Sequence, residues 1–369
     1  MSGGWSGISA ALYSQLCGKT ECRFVGPISP PIDLRAKAVS KALRLCGAAG
    51  SYHFFSERRL QWIANQVAES IDHGADMRFF HGQTPWIRSR IEQPFATYID
   101  APFPSYLRVF LRGQRFRQTD IDRISNVEAT WLSRAEAVCF GSAWALNETV
   151  EAYGLGRSNM HVIGVGGCVT PPAHDTYDGG MRFLFISLDF AGKGGWMCWR
   201  AFQRVQRRHR DARLTIIGQR PPDPVLRSDG VEYIGRLRKS NPADVQRFRE
   251  VLASAFAIVH PTHMDTMGMV LVESAYFGCP AIAPRSFGIP ELVRDGHTGF
   301  LVDPGADAES YAERMMQMCD DATTYASMRR NARAVALHSH TWDAVGARLA
   351  LALKIDPHLA CRSHEHSGD

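Results

Sequence analysis

Short apolar segments alternate with amphipathic segments along most of the chain. Apolar runs of about four to eight residues are typical of buried strands, and longer segments with apolar residues three and four apart are typical of helices. We therefore expect strands at 21–28, 77–81, 95–99, 137–141, 161–165, 181–187, 213–218, 231–235 and 255–259. We expect helices at 34–45, 54–71, 105–123, 124–134, 196–209, 269–277, 310–318, 323–337 and 342–353. This alternation predicts an α/β architecture.

The length of 369 residues is enough for about two domains. Residues 170–180 are rich in Pro and Gly and poor in apolar side chains, which is typical of a linker. We predict a first domain at 1–168, a linker at 169–180, a second domain at 181–340, a helix at 341–355 that crosses back, and a disordered tail at 356–369. The chain opens with a glycine-rich loop that leaves no room for a strand ahead of it, so either the start site is misassigned and the first strand lies upstream, or the first sheet lacks that strand. An ordinary helix behind a disordered tail is the alternative.

Composition limits the function classes. Hydrophobic residues make up 45% and charged residues 21% of the chain, as in soluble globular proteins. There is no long uncharged apolar run and no basic-then-apolar leader, so we expect a cytoplasmic protein. The net charge of +5 permits attraction to phosphorylated substrates or to anionic lipid surfaces. Nine cysteines without a C-x-x-C pair favour reduced thiols.

No metal site is predicted. His260 with His263, His338 with His340 and His364 with His366 are pairs at ligand spacing, but apart from Asp265 none has a third ligand nearby.

The most informative position is Glu273, in the middle of the apolar helix expected at 269–277. A buried carboxylate is costly unless it is paired, and no Lys or Arg lies three or four positions away. Its partner is therefore either a distant arginine or a ligand hydroxyl. Gly268 would present the amides of a helix N-terminus to a phosphate, and Glu273 lies roughly 7–8 Å further along the axis. That is the span from a diphosphate to its ribose hydroxyls, which leaves Asp265 at the sugar end.

Asp265 and Glu273 resemble the E-x7-E motif of the retaining glycosyltransferases of family four, with Asp at the first acidic position. The similarity continues through 279–302, which resembles the strand, glycine-proline turn and closing glycine segment of that family. The resemblance implies the GT-B fold, in which two Rossmann-like domains face each other across a cleft. It also implies a nucleoside-diphosphate sugar donor and no metal or other cofactor. Glu273 would then bind the ribose, Asp265 the sugar, and the amides of Gly268 and Met269 the diphosphate. Thr266 and Met267 would also belong to the donor-binding segment.

Lys193 stands just before the helix expected at 196–209 and is flanked by Gly192, Gly194 and Gly195. A lysine at a helix N-terminus among glycines is a plausible anion site, although a surface lysine is the alternative. It resembles the lysine of the family's R-x4-K pair, with Leu188 at the position of the arginine. The resemblance places Lys193 and Gly194 at the donor diphosphate. Arg236, in a G-R-L segment, resembles the loop near the nucleotide base.

Two candidate positions lie in the first domain. Trp5, Ser6 and Gly7 resemble the W-S-G loop of one bacterial branch of the family, in which the loop amides approach the donor phosphates. Asp100 follows the strand expected at 95–99, where open parallel sheets bind ligands and where the family carries a histidine near the acceptor. A helix cap or turn residue is the alternative for Asp100.

The helix expected at 34–45 carries basic residues beside an apolar face, so it is suited either to an anionic membrane surface or simply to water. Arginines and aromatic residues alternate in 105–123, but this segment is too short and isolated to predict nucleic-acid binding.

We expect transfer of a hexose to a hydroxyl acceptor in cell-surface polysaccharide or glycolipid synthesis, with possible contact to the inner face of the plasma membrane. The acceptor would be a lipid-linked oligosaccharide, a polysaccharide end or a small molecule. A decayed GT-B binding protein and a nucleotide-sugar epimerase are the alternatives.

Overall fold

The computed structural model describes residues 7–70 and 72–355. These residues form two compact units, the first made of 7–164 and 346–355 and the second of 165–345. The division falls a few residues ahead of the segment expected to be the linker. Each unit is built around its own parallel sheet.

The first unit contains four strands and six α-helices of the described chain, together with the end of the last helix and two short 3-10 helices at His53–Phe55 and Thr84–Trp86. In chain order they are α1 (Ile8–Cys17), α2 (Leu34–Leu45), α3 (Glu57–Glu69), β1 (Arg78–His81), β2 (Phe95–Ile99), α4 (Phe103–Phe110), α5 (Gln118–Ser133), β3 (Ala137–Phe140), α6 (Ala143–Tyr153) and β4 (Met160–Val162). The strands lie in the order β1-β2-β3-β4, all parallel. Every residue of β2 and β3 is buried, as expected for central strands covered on both faces.

The strand expected at 21–28 is wrong. This segment has no regular structure, and the described residues contain no strand ahead of β1. Pro27, Pro30 and Pro31 have no backbone N–H, and Phe24 and Val25 remain exposed, so neither a ladder nor a core is available to hold an extended chain in a sheet. The helix expected at 105–123 is also interrupted, because α4 ends before the turn at Gly113.

The second unit contains six strands. Its elements are β5 (Arg182–Ser187), α7 (Gly195–Arg208), β6 (Arg213–Gly218), α8 (Asp223–Leu226), β7 (Val231–Gly235), α9 (Pro242–Ser254), β8 (Ala257–Val259), α10 (Met269–Tyr276), β9 (Ala281–Pro284), α11 (Ile289–Leu292), β10 (Gly299–Val302), α12 (Ala308–Asp320), α13 (Ala322–Ser339) and α14 (Trp342–Ala352), of which α14 ends in the first unit. The strand order is β10-β9-β8-β5-β6-β7, all parallel.

This order fixes where a ligand can bind. The chain begins at the central strand β5, proceeds outward through β6 and β7, and returns to build β8, β9 and β10 on the other side. The loops after β5 and β8 therefore leave the sheet in opposite directions and open a crevice between them. In doubly wound sheets this switch point is the usual ligand site.

Apolar positions three and four apart on α7 anchor the helix to this sheet. Cys198, Ala201, Phe202 and Val205 are buried, and they pack with Phe185 on β5 in the hydrophobic core. Burying a side chain of the size of Phe or Val contributes roughly 1.5–3 kcal/mol each. The start of α7, and with it Lys193, is thereby held at the end of β5.

The predicted linker region is fixed at Asp175. Its carboxylate pairs with Arg329 on α13 at 2.7 Å, and the guanidinium also donates to the carbonyls of Ala255 and Phe277. Arg329 in addition stacks on Tyr177 at 4.1 Å from the ring centre. This segment is therefore attached to the core of the second unit.

Candidate functional site

Lys193 and Asp265 meet at the switch point of the second sheet. Lys193 lies in the loop after β5 and Asp265 in the loop after β8, and the distance from Nζ to Oδ2 is 2.8 Å. The ammonium also donates to the carbonyl of Met264. Two residues that the sequence placed at the donor diphosphate and sugar are thus direct neighbours.

Gly194 allows these loops to approach each other. Its φ of +83° lies in the left-handed region, and a Cβ there would stand 2.0 Å from the carbonyl oxygen of Pro261. Only glycine fits, because any side chain would separate the two loops.

Asp265 is fully engaged within the protein. Oδ2 accepts from Lys193 and from Nε2 of the buried His260 at 3.0 Å, and Oδ1 accepts from the amides of Gly268 at 2.9 Å and Met267 at 3.3 Å. Burial alone would raise the pKa of this carboxyl, but the His260 hydrogen bond and the Lys193 charge outweigh it and hold the pKa well below its usual range. Asp265 is therefore an ionised cap at the start of α10 that also orients Lys193.

Glu273 is fully buried on α10, and the structure supplies the partner that the sequence left open. Its Oε1 accepts from the backbone amide of Cys168 at 2.8 Å and from the ammonium of Lys239. Lys239 lies in the loop between β7 and α9, 34 positions away. The basic partner is thus a lysine and not the distant arginine considered from the sequence.

The second oxygen of Glu273 has no hydrogen-bond partner among the described residues, although it is buried. Leaving a buried acceptor unsatisfied costs about 1–3 kcal/mol, and more when the group is charged. Such an atom calls for a donor that the described chain does not provide.

The backbone that holds Glu273 depends on Gly167, a residue that did not enter the sequence-based predictions. A Cβ on Gly167 would stand 2.9 Å from Cγ of Glu273 and 2.7 Å from the ring of Tyr276. The amide of Gly167 donates to the Tyr276 hydroxyl at 2.9 Å, and that hydroxyl donates to the carbonyl of His340. These contacts fix the backbone amide that holds Oε1.

The remaining donor-site candidates surround the N-terminus of α10. Gly268 has a φ of +65°, and its amide donates to Asp265 in this structure. Thr266 and Met267 are buried, and the carbonyl of Thr266 accepts from the Gly288 amide at 3.1 Å. The sulfur of Met269 lies 3.8 Å from that of Cys168.

Two further positions border this site in sequence. Arg236 is exposed and is the first residue after β7, three positions before Lys239. Leu188, which stands where the resemblance led us to expect an arginine, is 64% exposed.

The two candidates from the first domain belong to the first unit. Asp100 directly follows β2 and is half-buried. Gly7 has a φ of 101° and precedes α1, while Trp5 and Ser6 lie outside the described residues. The structure thus assembles Lys193, Asp265 and the α10 residues around one switch point, whereas Gly7 and Asp100 are described within their own unit.

Neither a metal cluster nor a membrane span is found in the part of the chain that the structure describes. No group of three His, Cys, Asp or Glu side chains there could hold a metal ion. No helix there is long and apolar enough to cross a membrane.

Residues 173–335 match the family described as Glycosyl transferases group 1. The chain is 33% identical over 243 residues to the GDP-mannose-dependent alpha-(1-6)-phosphatidylinositol monomannoside mannosyltransferase of Mycolicibacterium smegmatis. The aligned region makes up 58% of this chain and 61% of that protein. The chain therefore spans less than two thirds of the length of this relative. It spans 40% of the length of each of two other curated relatives that it matches.

Solved structures share the fold at low sequence identity. The sucrose-phosphate synthase of Thermosynechococcus elongatus superposes with a TM-score of 0.64 at 17% identity, over 83% of this chain and 79% of that one. HepE of Anabaena in complex with UDP superposes with a TM-score of 0.61 at 18% identity, over 80% and 82%. The prediction of an α/β protein with two Rossmann-like units of the GT-B type is confirmed.

Proposed function

We propose that this protein is a retaining glycosyltransferase that moves a hexose from a nucleoside-diphosphate sugar to a hydroxyl acceptor. The observation that carries the proposal is the buried Oε2 of Glu273, which has no partner among residues 7–70 and 72–355 and lies about one and a half helical turns from the N-terminus of α10. A ribose hydroxyl would provide the donor that this oxygen lacks. The switch-point location and the match of residues 173–335 to a glycosyl transferase family support the same assignment.

The donor would lie along the start of α10. Glu273 would accept from the ribose, and Lys193, Gly194 and the amide of Met269 would hold the diphosphate near the positive end of the helix dipole. The carboxylate of Asp265 already accepts hydrogen bonds from four donors of the protein. Its role at the sugar end would therefore be to fix the positions of Lys193 and of the first turn of α10. Arg236 would lie near the nucleotide base, and the buried residues Thr266 and Met267 would line the bottom of the donor site.

Transfer breaks the bond between the anomeric carbon and the leaving phosphate oxygen and forms a bond to the acceptor oxygen. Negative charge grows on the diphosphate as it leaves, and a preorganised ammonium with helix amides stabilises that charge. We propose that the acceptor proton passes to the leaving phosphate, with no metal or additional cofactor required. Asp100 and Gly7 are proposed as first-unit contributors to the acceptor hydroxyl and the donor phosphates.

The Mycolicibacterium relative is a GDP-mannose-dependent phosphatidylinositol monomannoside mannosyltransferase, which makes GDP-mannose the first donor to test and a phosphatidylinositol mannoside the first lipid acceptor. HepE was crystallised with UDP, so uridine nucleotides are the second choice. A polysaccharide end and a small hydroxyl compound remain as acceptor classes within the same proposal.

The outward face of α2 supports a lipid-bound acceptor at the cytoplasmic membrane surface. Only Ser40 of this helix is buried, whereas Leu34 and Leu45 are 71% and 79% exposed. Lys37 and Lys41 are exposed on the same helix. An exposed apolar stripe with basic neighbours is suited to insertion among anionic headgroups. We propose that α2 docks the protein peripherally on such a membrane.

A non-catalytic GT-B binding protein is the second candidate, because Leu188 replaces a diphosphate-binding arginine and is exposed. Donor binding without turnover over a broad acceptor panel would favour it. Donor consumption with no acceptor present would instead indicate an epimerase.

The deciding experiment is thermal shift and calorimetry of the full chain with GDP, UDP, ADP and their common sugars. We expect one nucleotide to raise the Tm of the wild type and to leave Glu273→Ala unchanged. If no nucleotide binds the folded wild type, the proposed donor site is wrong.

A further inference from the structure

Lys239 is the cation in contact with Glu273, and the two side chains differ in their exposure to water. Its side chain is 38% exposed, whereas that of Glu273 is 0% exposed. Lys239 lies in the exposed loop 236–241 between β7 and α9, so its ammonium can move into water on a flexible four-carbon stem. The carboxylate sits on a buried helix and cannot move in the same way.

The other donor to Glu273 is fixed. The amide of Cys168 directly follows Gly167, whose own amide donates to the Tyr276 hydroxyl and where a Cβ would stand 2.7 Å from the Tyr276 ring. Of the two groups that occupy Oε1, only Lys239 can therefore give way to an incoming hydroxyl.

Access to Glu273 requires such a movement. Both the side chain as a whole and Oε2, which no described residue contacts by a hydrogen bond, are buried, so a ribose cannot reach the carboxylate while its surroundings keep this arrangement. The movable neighbour is Lys239.

The released ammonium would have a second anion nearby. The N-terminus of α10 lies roughly 7–8 Å from Glu273 along the helix axis. A diphosphate bound there carries more than one negative charge, and Lys193, already paired with Asp265, is the other lysine of the site. A second cation at this place would lower the cost of holding that charge.

We propose that Lys239 is a displaceable second cation of the donor site. Without nucleotide it covers and neutralises Glu273, and on nucleotide binding the ribose hydroxyls take its place while its ammonium pairs with the diphosphate. This inference rests on the proposed donor site. It makes Lys239 a residue that distinguishes nucleoside diphosphates from nucleosides.

The test compares Lys239→Met with wild type by calorimetry, using the diphosphate that stabilises the wild type (GDP, UDP or ADP) and its nucleoside. We expect diphosphate binding to weaken roughly tenfold or more, while nucleoside binding stays equal or becomes tighter because no cation has to leave. The loss should shrink at high salt, since an exposed ammonium is screened. Lys239→Arg should retain most of the diphosphate preference, and Lys354→Met, an exposed lysine of the first unit with no role in either proposed site, is the matched control.

The outcomes separate the two claims. Equal weakening of nucleoside and diphosphate would mean that Lys239 only neutralises Glu273, which overturns this inference and leaves the donor site standing. Failure of the folded wild type to bind any nucleotide overturns both.

If Lys239→Met does not fold, two other variants are compared. One carries Glu273→Gln alone, and the other carries both Glu273→Gln and Lys239→Met. Neither leaves a buried carboxylate without its cation. The diphosphate preference should then be lost only in the double variant. The same preference in both would overturn the inference.

Discussion

The backbone amide of Cys168 donates to Oε1 of Glu273 at 2.8 Å across 105 positions of sequence. The carboxylate on α10 is thus held by the backbone of a residue near the start of the second unit. Because Oε1 is held in this way, Oε2, which lacks a partner in the described part of the chain, has a defined position, as a binding site for a hydroxyl requires.

Replacing Glu273 by Gln keeps the shape and removes the charge. We expect the Kd for the nucleoside diphosphate to rise about 10- to 100-fold, because a hydrogen bond to a charged group contributes ~1.5–3 kcal/mol. Calorimetry measures the change, and Glu232→Gln, an exposed carboxylate on β7, is the control. An unaltered Kd would remove Glu273 from the donor site.

Replacing Lys193 by Ala should lower kcat about 10²-fold or more, with a smaller effect on KM, because the ammonium acts on charge that grows in the transition state. Steady-state kinetics with the identified donor measures both parameters. Asp265→Asn should share part of the loss, since it releases the ammonium. Lys19→Ala is the control, and a kcat in Lys193→Ala close to that of the wild type contradicts the assignment.

Gly194→Ala tests the close approach of the two loops. The new Cβ would stand 2.0 Å from the Pro261 oxygen, so we expect a loss of stability of roughly 3 kcal/mol or more, the sum of backbone strain and overpacking. Gly113→Ala has a similar φ of +79° with nothing within 4 Å, and should lose only ~1–2 kcal/mol. Thermal unfolding compares the two, and equal Tm losses would show that the approach is unimportant.

Stability of the first unit should depend on pH through His81. Burial lowers the pKa of His81 from 6.5 to about 4, and Oγ of Ser9 lies 2.5 Å from its Nδ1. Between these pH values the unfolded chain binds a proton that the folded chain does not, so stability falls as the pH drops from about 6.5 to about 4. The loss should reach roughly 3 kcal/mol.

Unfolding of wild type and His81→Gln across this pH range measures the effect. We expect the slope of stability against pH to flatten in the variant. Identical slopes would assign the pH dependence to other groups.

Binding to vesicles tests α2. Leu34→Ser with Leu45→Ser should abolish sedimentation with vesicles rich in anionic phospholipid and leave the Tm unchanged, because both side chains are exposed. Leu351→Ser, 81% exposed on α14, is the matched control. Binding of the double variant at the wild-type level would exclude α2 as the docking face.

Most strands and helices could be predicted from the sequence because each is a local pattern. The strands at 95–99, 213–218 and 231–235 have the expected bounds, since apolar runs there end at polar or glycine turns. The segment at 21–28 misled the prediction, because Phe24 and Val25 look like strand residues while their neighbouring prolines prevent pairing. Whether an apolar pair finds a sheet depends on distant chain, which a local pattern does not contain.

The candidate site divides in the same way. Glu273 could be found because one acidic residue in an apolar helix is anomalous by itself. Lys239 could not, since it is one of several basic residues in an exposed loop and only the folding of β7 brings it to α10. The amide of Cys168 carries no side-chain signal, although Gly166 and Gly167 just before it were a usable indication of close backbone packing.

The contacts of the segment ahead of β5 determine where the chain could be divided for separate expression. A fragment begun at Met181 would contain every strand of the second sheet, yet it would lose the Gly167 bond to Tyr276, the Cys168 bond to Glu273 and the Asp175 pair with Arg329. It would then expose the arginine and leave the buried carboxylate with Lys239 as its remaining partner. A fragment intended to keep the donor site therefore has to start at Val165 or earlier.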